Sequence, residues 1–225
     1  STQQLAEDHV SIIIGPMITG EYAAQEAQIN GIPIITLTQQ SNIPELGDYV
    51  FRIFLTPQMQ IEAIVPYVID QLGLGRFAIL YPEDKYGKTF MKLFREKVLD
   101  CGATVSAIES YEPDQTDFAR QIKKLSRTFN DNQDKVVNNS QQINIRGKNR
   151  HIKSEVIVDF DAIFIPDVPE QIALIAPQLA FYDIDDVLLL GTNLWHSDKL
   201  IKAAGKYIQE AIMAEVFYAE GSNEN

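Results

Sequence analysis

The side chains able to do covalent or acid–base chemistry are few and scattered. The three histidines, His9, His151 and His196, lack His-x-x-x-His or Glu-x-x-His spacing, so they form no metal-ligand pattern. Cys101 is the single cysteine, which excludes an intrachain disulfide and a multi-thiolate site. It follows the apolar-periodic run 90–99, just before Gly102, and reads as a small packed hydrophobe. No Gly-x-Ser-x-Gly elbow, Walker loop or Gly-x-Gly-x-x-Gly fingerprint occurs. The pair Asp185-Asp186 falls in a turn. Catalysis needs a positioned nucleophile, acid or base, and no such constellation stands out.

Neutral polar groups after apolar runs offer a different chemistry. Gly15-Pro16-Met17-Ile18-Thr19 follows Ile14 and turns into a helix whose first amides suit an anion. Thr38, Gln39 and Ser41 follow the next run, and Tyr86 lies in Glu83-Asp84-Lys85-Tyr86-Gly87 after Tyr81. Asp167 follows Ile165, while Thr192, Asn193 and Trp195 follow Leu190. Any one of these could be a turn residue or helix cap. Their shared position at strand ends describes a cleft for a small polar molecule.

The elements that must position them alternate almost throughout. Apolar runs predict strands at 10–14, 33–37, 49–54, 77–81, 104–108, 162–165, 187–190 and 211–217. The first of these reads as a strand buried on both faces. Helical spacing predicts helices at 20–30, 56–72, 86–100, 117–125, 169–182 and 197–204, with Pro66 bending the second. Repeated strand–helix–strand crossovers imply an α/β fold with doubly wound parallel sheets, binding ligands at the carboxyl ends of the strands. Residues 126–159 break the rhythm. The polar insertion, about 127–158, offers too little apolar burial to order itself and is expected to be mobile and deletable. Its basic half (Arg146, Lys148, Arg150, His151, Lys153) would suit an acidic partner.

Composition narrows the function further. The 225 residues are 45% apolar and 22% charged, enough for one large or two small globular domains. Thirty-one acids against nineteen bases leave a charge of −12, whose field repels phosphate backbones and argues against nucleic acid as a partner. No apolar run reaches the ~18 residues of a membrane span, and no signal-peptide pattern is visible.

Several motifs in order carry a family resemblance. Gly15-Pro16, a helix, Gly31-Ile32-Pro33, a strand and then Pro44-Glu45-Leu46 resemble the first lobe of type I periplasmic solute-binding proteins, the leucine/isoleucine/valine-binding group. Tyr49-Val50-Phe51-Arg52 resembles that family's first crossover between lobes, and 76–87, ending Asp84-Lys85-Tyr86-Gly87, resembles the opening of the second. Thr116-Asp117-Phe118 and Phe160-Asp161-Ala162-Ile163-Phe164 match in place and type. The resemblance implies a type I periplasmic-binding-protein fold in two lobes. These are a partial lobe 1 at 1–55, lobe 2 at 56–217, and a tail or return crossover at 218–225.

It also implies a non-catalytic, cofactor-free protein, periplasmic or envelope-anchored, that captures a small polar solute between its lobes for an ABC transporter permease. Thr19 stands where the family holds a ligand carboxylate, and Thr38, Gln39 and Ser41 lie around the next contact loop, which is longer here. Tyr86 matches the aromatic that packs on the ligand, and Asp167 or Val168 the next contact. Asn193 stands where amino-acid binders place an acid for the ammonium. That neutral amide points to an amide or related polar solute, or to an amino acid if Asp167 substitutes for the acid. The family's first lobe has more strand–helix units than 1–55 provides. A fragment is therefore expected, with apolar edges at Ile12-Ile13-Ile14 that favour self-association.

A second, local resemblance runs from Glu170 to Ala180, similar to lipoprotein activators of penicillin-binding proteins. It implies a penicillin-binding protein as partner and a role in peptidoglycan synthesis.

Overall fold

The computed structural model describes residues 2–16, 20–38, 42–128 and 156–215. The chain divides into two compact units, Ser1–Gln60 with Glu215–Asn225, and Ile61–Ala214.

In the first unit, α1 (Thr2–Glu7), β1 (Ile13–Ile14), α2 (Glu21–Ile29), β2 (Ile34–Thr36) and β3 (Val50–Arg52) precede the start of α3 (Pro57–Pro66). The strands form a parallel sheet in the order β1-β2-β3. Ile13, Ile34 and Val50 share a register row and are buried with Ala24 and Ala27 of α2. The neighbouring row points the other way. Ile14 and Phe51 are 70% and 51% exposed, and Ile12 48%. The expected strand at 10–14, buried on both faces, is therefore corrected to a two-residue pairing buried on one. The reason is that α2 packs on only one side of the sheet. α1 stands where the sequence pattern gave no helix.

The second unit supplies β4 (Arg76–Pro82), α4 (Lys85–Asp100), β5 (Thr104–Tyr111), α5 (Ala119–Leu125), β6 (Arg127–Thr128), β7 (Val156–Ile157), β8 (Ala162–Phe164), α6 (Pro169–Phe181), β9 (Leu188–Leu190) and α7 (Asp198–Ala204). Its main sheet is parallel with order β5-β4-β8-β9. Alternation along the strands builds two cores, one per face. Phe77, Ile79, Ala162 and Phe164 pack with Ile61, Val65, Phe90 and Phe94 of α3 and α4. Ala78, Leu80, Ile163 and Ile165 pack with Ile122, Ile172, Ile175 and Leu200 of α5, α6 and α7. The rings of Phe94 and Phe164 stack at 4.3 Å. Cys101, half-buried at the end of α4, packs against the first of these cores.

Three local features depart from simple periodicity. Pro66 has no amide hydrogen to bond back to Glu62, and at that point α3 passes into a π-helical segment, Tyr67–Gln71. The strand expected at 211–217 is, within the described residues, a single parallel bridge from Leu190 to Ile212. The polar insertion has a neck that composition does not reveal: Arg127–Thr128 and Val156–Ile157 pair antiparallel. At the amino ends of the strands, Asp161 accepts the Gly75 and Arg76 amides and the Arg76 guanidinium, whose other nitrogen reaches Asp159 at 2.6 Å.

Candidate functional site

The opposite, carboxyl ends of the second unit's sheet gather the polar side chains. After β4 the chain reverses directly into α4, capped by Asp84, whose Oδ1 accepts the Gly87 amide at 2.7 Å. Gly87 is required there, because a Cβ would lie 2.3 Å from the Pro82 carbonyl oxygen. This tight return places Tyr86 in the first turn of α4, its ring 4.7 Å from that of Phe90. Its hydroxyl donates to Thr192 Oγ1 at 2.9 Å. Burial, opposed by that bond and reinforced by the charges of Asp167 and Asp84, pushes the Tyr86 phenol up to about 12. It is therefore a hydrogen-bonding group at neutral pH and not a base.

Thr192 is fully buried two residues beyond β9. The turn that carries it needs Gly191, since a Cβ would lie 2.2 Å from the ring of Trp195. Trp195 is itself buried, and its indole N–H has no hydrogen-bond acceptor among the described residues. Asn193, half-buried, starts the short helical turn Asn193–Trp195 beside Thr192.

Asp167 follows β8 and is 7% exposed. The Tyr111 hydroxyl, at the end of β5, donates to its Oδ2 at 2.5 Å, and the Val168 amide donates to its Oδ1 at 2.6 Å. Burial raises the Asp167 carboxyl above its ordinary range, and Asp84's charge adds to this, while the bonds from Tyr111 and Val168 pull it down. Tyr111 is pushed far above the usual phenol range by burial first and then by the Asp167 charge.

Each strand of the sheet thus contributes to one end of it: Tyr111 from β5, Asp84 and Tyr86 after β4, Asp167 after β8, Thr192 and Asn193 after β9. Of the residues expected from sequence, Tyr86, Asp167, Thr192 and Asn193 share this sheet end. Thr38 lies in the first unit, buried two residues beyond β2, with its methyl 3.0 Å from where a Cβ on Gly20 would stand. Thr19, Gln39 and Ser41 lie outside the described residues. One contributor, Tyr111, was not singled out from sequence. The strand expected at 104–108 stops short of Tyr111, although the next strand-breaking residue is Pro113, and that spacing is the signal for a strand reaching 111. These groups form hydrogen bonds and carry charge, and none pairs a nucleophile with a base. Among the described residues no cluster of three or more His, Cys, Asp or Glu is placed to hold a metal ion. No helix there is long and apolar enough to cross a membrane.

Comparison with known proteins agrees with this architecture. An uncharacterized protein of Rickettsia prowazekii is 25% identical over 186 residues, covering 81% of this chain and 43% of its own length. The leucine-binding protein LivK of Thermotoga maritima, 18% identical, superposes with a TM-score of 0.60 over 100% of this chain and 59% of its own. The substrate-binding protein LivJ of Streptococcus pneumoniae, solved with isoleucine, is 22% identical with a TM-score of 0.52 over 90% of this chain and 50% of its own. The chain thus spans about half the length of the proteins it matches. The family model for periplasmic binding proteins matches residues 1–225. By that match the chain belongs to the periplasmic binding protein family, and its fold is that of the type I members.

Proposed function

We propose that this chain is a non-catalytic solute receptor outside the cytoplasmic membrane that captures a small polar organic molecule for an ABC transporter permease. The observation that carries this reading is the convergence of Tyr86, Tyr111, Asp167 and Thr192 on one end of a parallel sheet. Ligands of open α/β sheets bind at that end, and a few fixed polar groups beside aromatic rings provide orientation. Thr19, Thr38, Gln39, Ser41 and Asn193 are assigned ligand contacts by family resemblance. LivJ, solved with isoleucine, gives the ligand class to try first: amino acids, their amides and related solutes. No observation favours a cell-wall activator over this reading.

A thermal-shift screen tests it. The probes are leucine, isoleucine, valine, their amides and 4-aminobutyrate. A ligand at a hundred times its Kd stabilises the folded state by about 2.7 kcal/mol, a shift of several degrees for a domain this size. At least one probe should produce that shift and lose it in Tyr86→Ala. A flat response to the whole set would refute the assignment of ligand class.

A further inference from the structure

We propose that the open face of the β1-β2-β3 sheet is a docking surface for a second copy of this chain, which packs sheet against sheet in a two-fold dimer. Ile14, Ile35 and Phe51 share one register row, and strand alternation points them away from the side that α2 covers. Ile12, Tyr49 and Ile53 stand two positions along the same strands and therefore on the same side. Ile35 is half-buried, and the other five are 43–70% exposed. A sheet face that stays in water carries polar side chains at alternate positions. These strands are apolar on both faces, the pattern of a parallel sheet that is covered twice.

Area and chemistry both favour a second copy as the occupant. All six side chains are uncharged, so a strongly acidic or basic partner finds no counter-charge among them. The five exposed ones leave roughly 500 Å² of apolar surface bare, near the upper end of the ~300–600 Å² that the largest patch on a monomer reaches. Two such faces in contact remove about 1,000 Å² in total, the lower limit for a specific interface, which sets an expected Kd in the micromolar range. The face is also complementary to itself. A two-fold axis along β2 sets the isoleucines of β1 against β3 of the other copy, aliphatic against aromatic, and sheets packed this way lie about 10 Å apart. Pairing along the sheet's edges is disfavoured, because β1 and β3 run for only two and three residues. Residues 1–60 hold six carboxylates and one arginine, so the two copies repel each other and added salt helps them meet.

The test is sedimentation equilibrium on the full chain from about 1 to about 200 µM, a range that brackets the expected Kd. The wild type should pass from monomer to a saturating dimer, with affinity rising as sodium chloride is added. Ile14→Lys and Phe51→Lys should each weaken association at least tenfold. Both positions are open to water in the single chain, so both variants should keep the wild-type circular-dichroism spectrum and melting temperature at about 1 µM. Should either variant fail to fold, hydrogen exchange on the wild type decides. Peptides covering residues 10–15 and 49–54 must gain protection on concentration, while those covering β4 and β8 stay unchanged. A wild type that remains monomeric at the highest concentration would overturn the dimer and leave the face to a different protein or to further chain of a longer one. Open-ended aggregation, a dimer indifferent to both lysines, or one that weakens with salt would overturn it as well.

Discussion

The hydroxyl of Tyr86 donates to Oγ1 of Thr192 at 2.9 Å, joining residues 106 positions apart in the chain. The bond spans from the start of α4, after β4, to the turn after β9, with β8 lying between the two strands. It locks the relative position of two of the loops that frame the candidate site.

Removing that bond should be visible in stability as well as in binding. Tyr86→Phe deletes the donor and should cost about 1 kcal/mol. Thr192→Val strands a largely buried hydroxyl and should cost more, about 1–3 kcal/mol. The double variant should be less destabilised than the sum of the two, by more than about 0.5 kcal/mol in urea unfolding. Strict additivity would show that the two side chains do not act as a pair.

Two aspartates at opposite ends of the β8 segment should respond to pH with opposite sign. Burial raises the Asp161 carboxyl, but the Arg76 guanidinium and the amides of Gly75 and Arg76 outweigh it and hold the group below its ordinary value. A carboxyl lowered in the folded state contributes stability above its unfolded value of about 3.9, lost as pH falls through the folded value. The deficit of Asp161→Asn should therefore be full at pH 7 and shrink below about pH 4.

Asp167 is raised, so the folded state binds its proton more readily than the unfolded chain does. Its favourable contribution is present below about 3.9 and is lost as pH rises through the folded value. Asp167→Asn should gain stability over wild type at pH 7 and lose that gain on acidification. Melting temperatures of both variants across pH 3–8 would check the signs, and parallel curves would contradict them.

The neck of the insertion allows a precise deletion. Thr128 pairs with Val156 in an antiparallel ladder, so residues 129–155 can be replaced by Asn-Gly, the dipeptide suited to a two-residue hairpin turn. The shortened chain should keep its circular-dichroism spectrum and melt within a few degrees of the parent. A collapse in melting temperature would mean that the excised segment packs on the domain.

The rhythm of apolar runs and helical spacings was enough to place most of the elements, because burial on both faces of a parallel strand leaves a continuous apolar run in the sequence as its mark. The runs at 77–81 and 162–165 carry it fully: Phe77 and Ile79 face one core, Ala78 and Leu80 the other. The run at 10–14 carries the same mark, yet Ile14 is 70% exposed. Whether a face is covered depends on which helices pack there, and that is not a local property. Strand ends are local too, which is why Tyr86, Asp167 and Asn193 were found from the residues that follow each run.

What the residues alone fixed, then, is the alternation of strand and helix and the polar character of the strand ends. Each rests on interactions within a few positions of the chain. Only the tertiary structure decided that Tyr111 reaches Asp167, 56 positions away, and Tyr86 reaches Thr192. Those contacts follow from the strand order β5-β4-β8-β9, which sets β8 between strands distant in sequence. A hydrogen bond needs its partners within about 3 Å, and such proximity between remote residues is a consequence of packing that no spacing along the chain encodes.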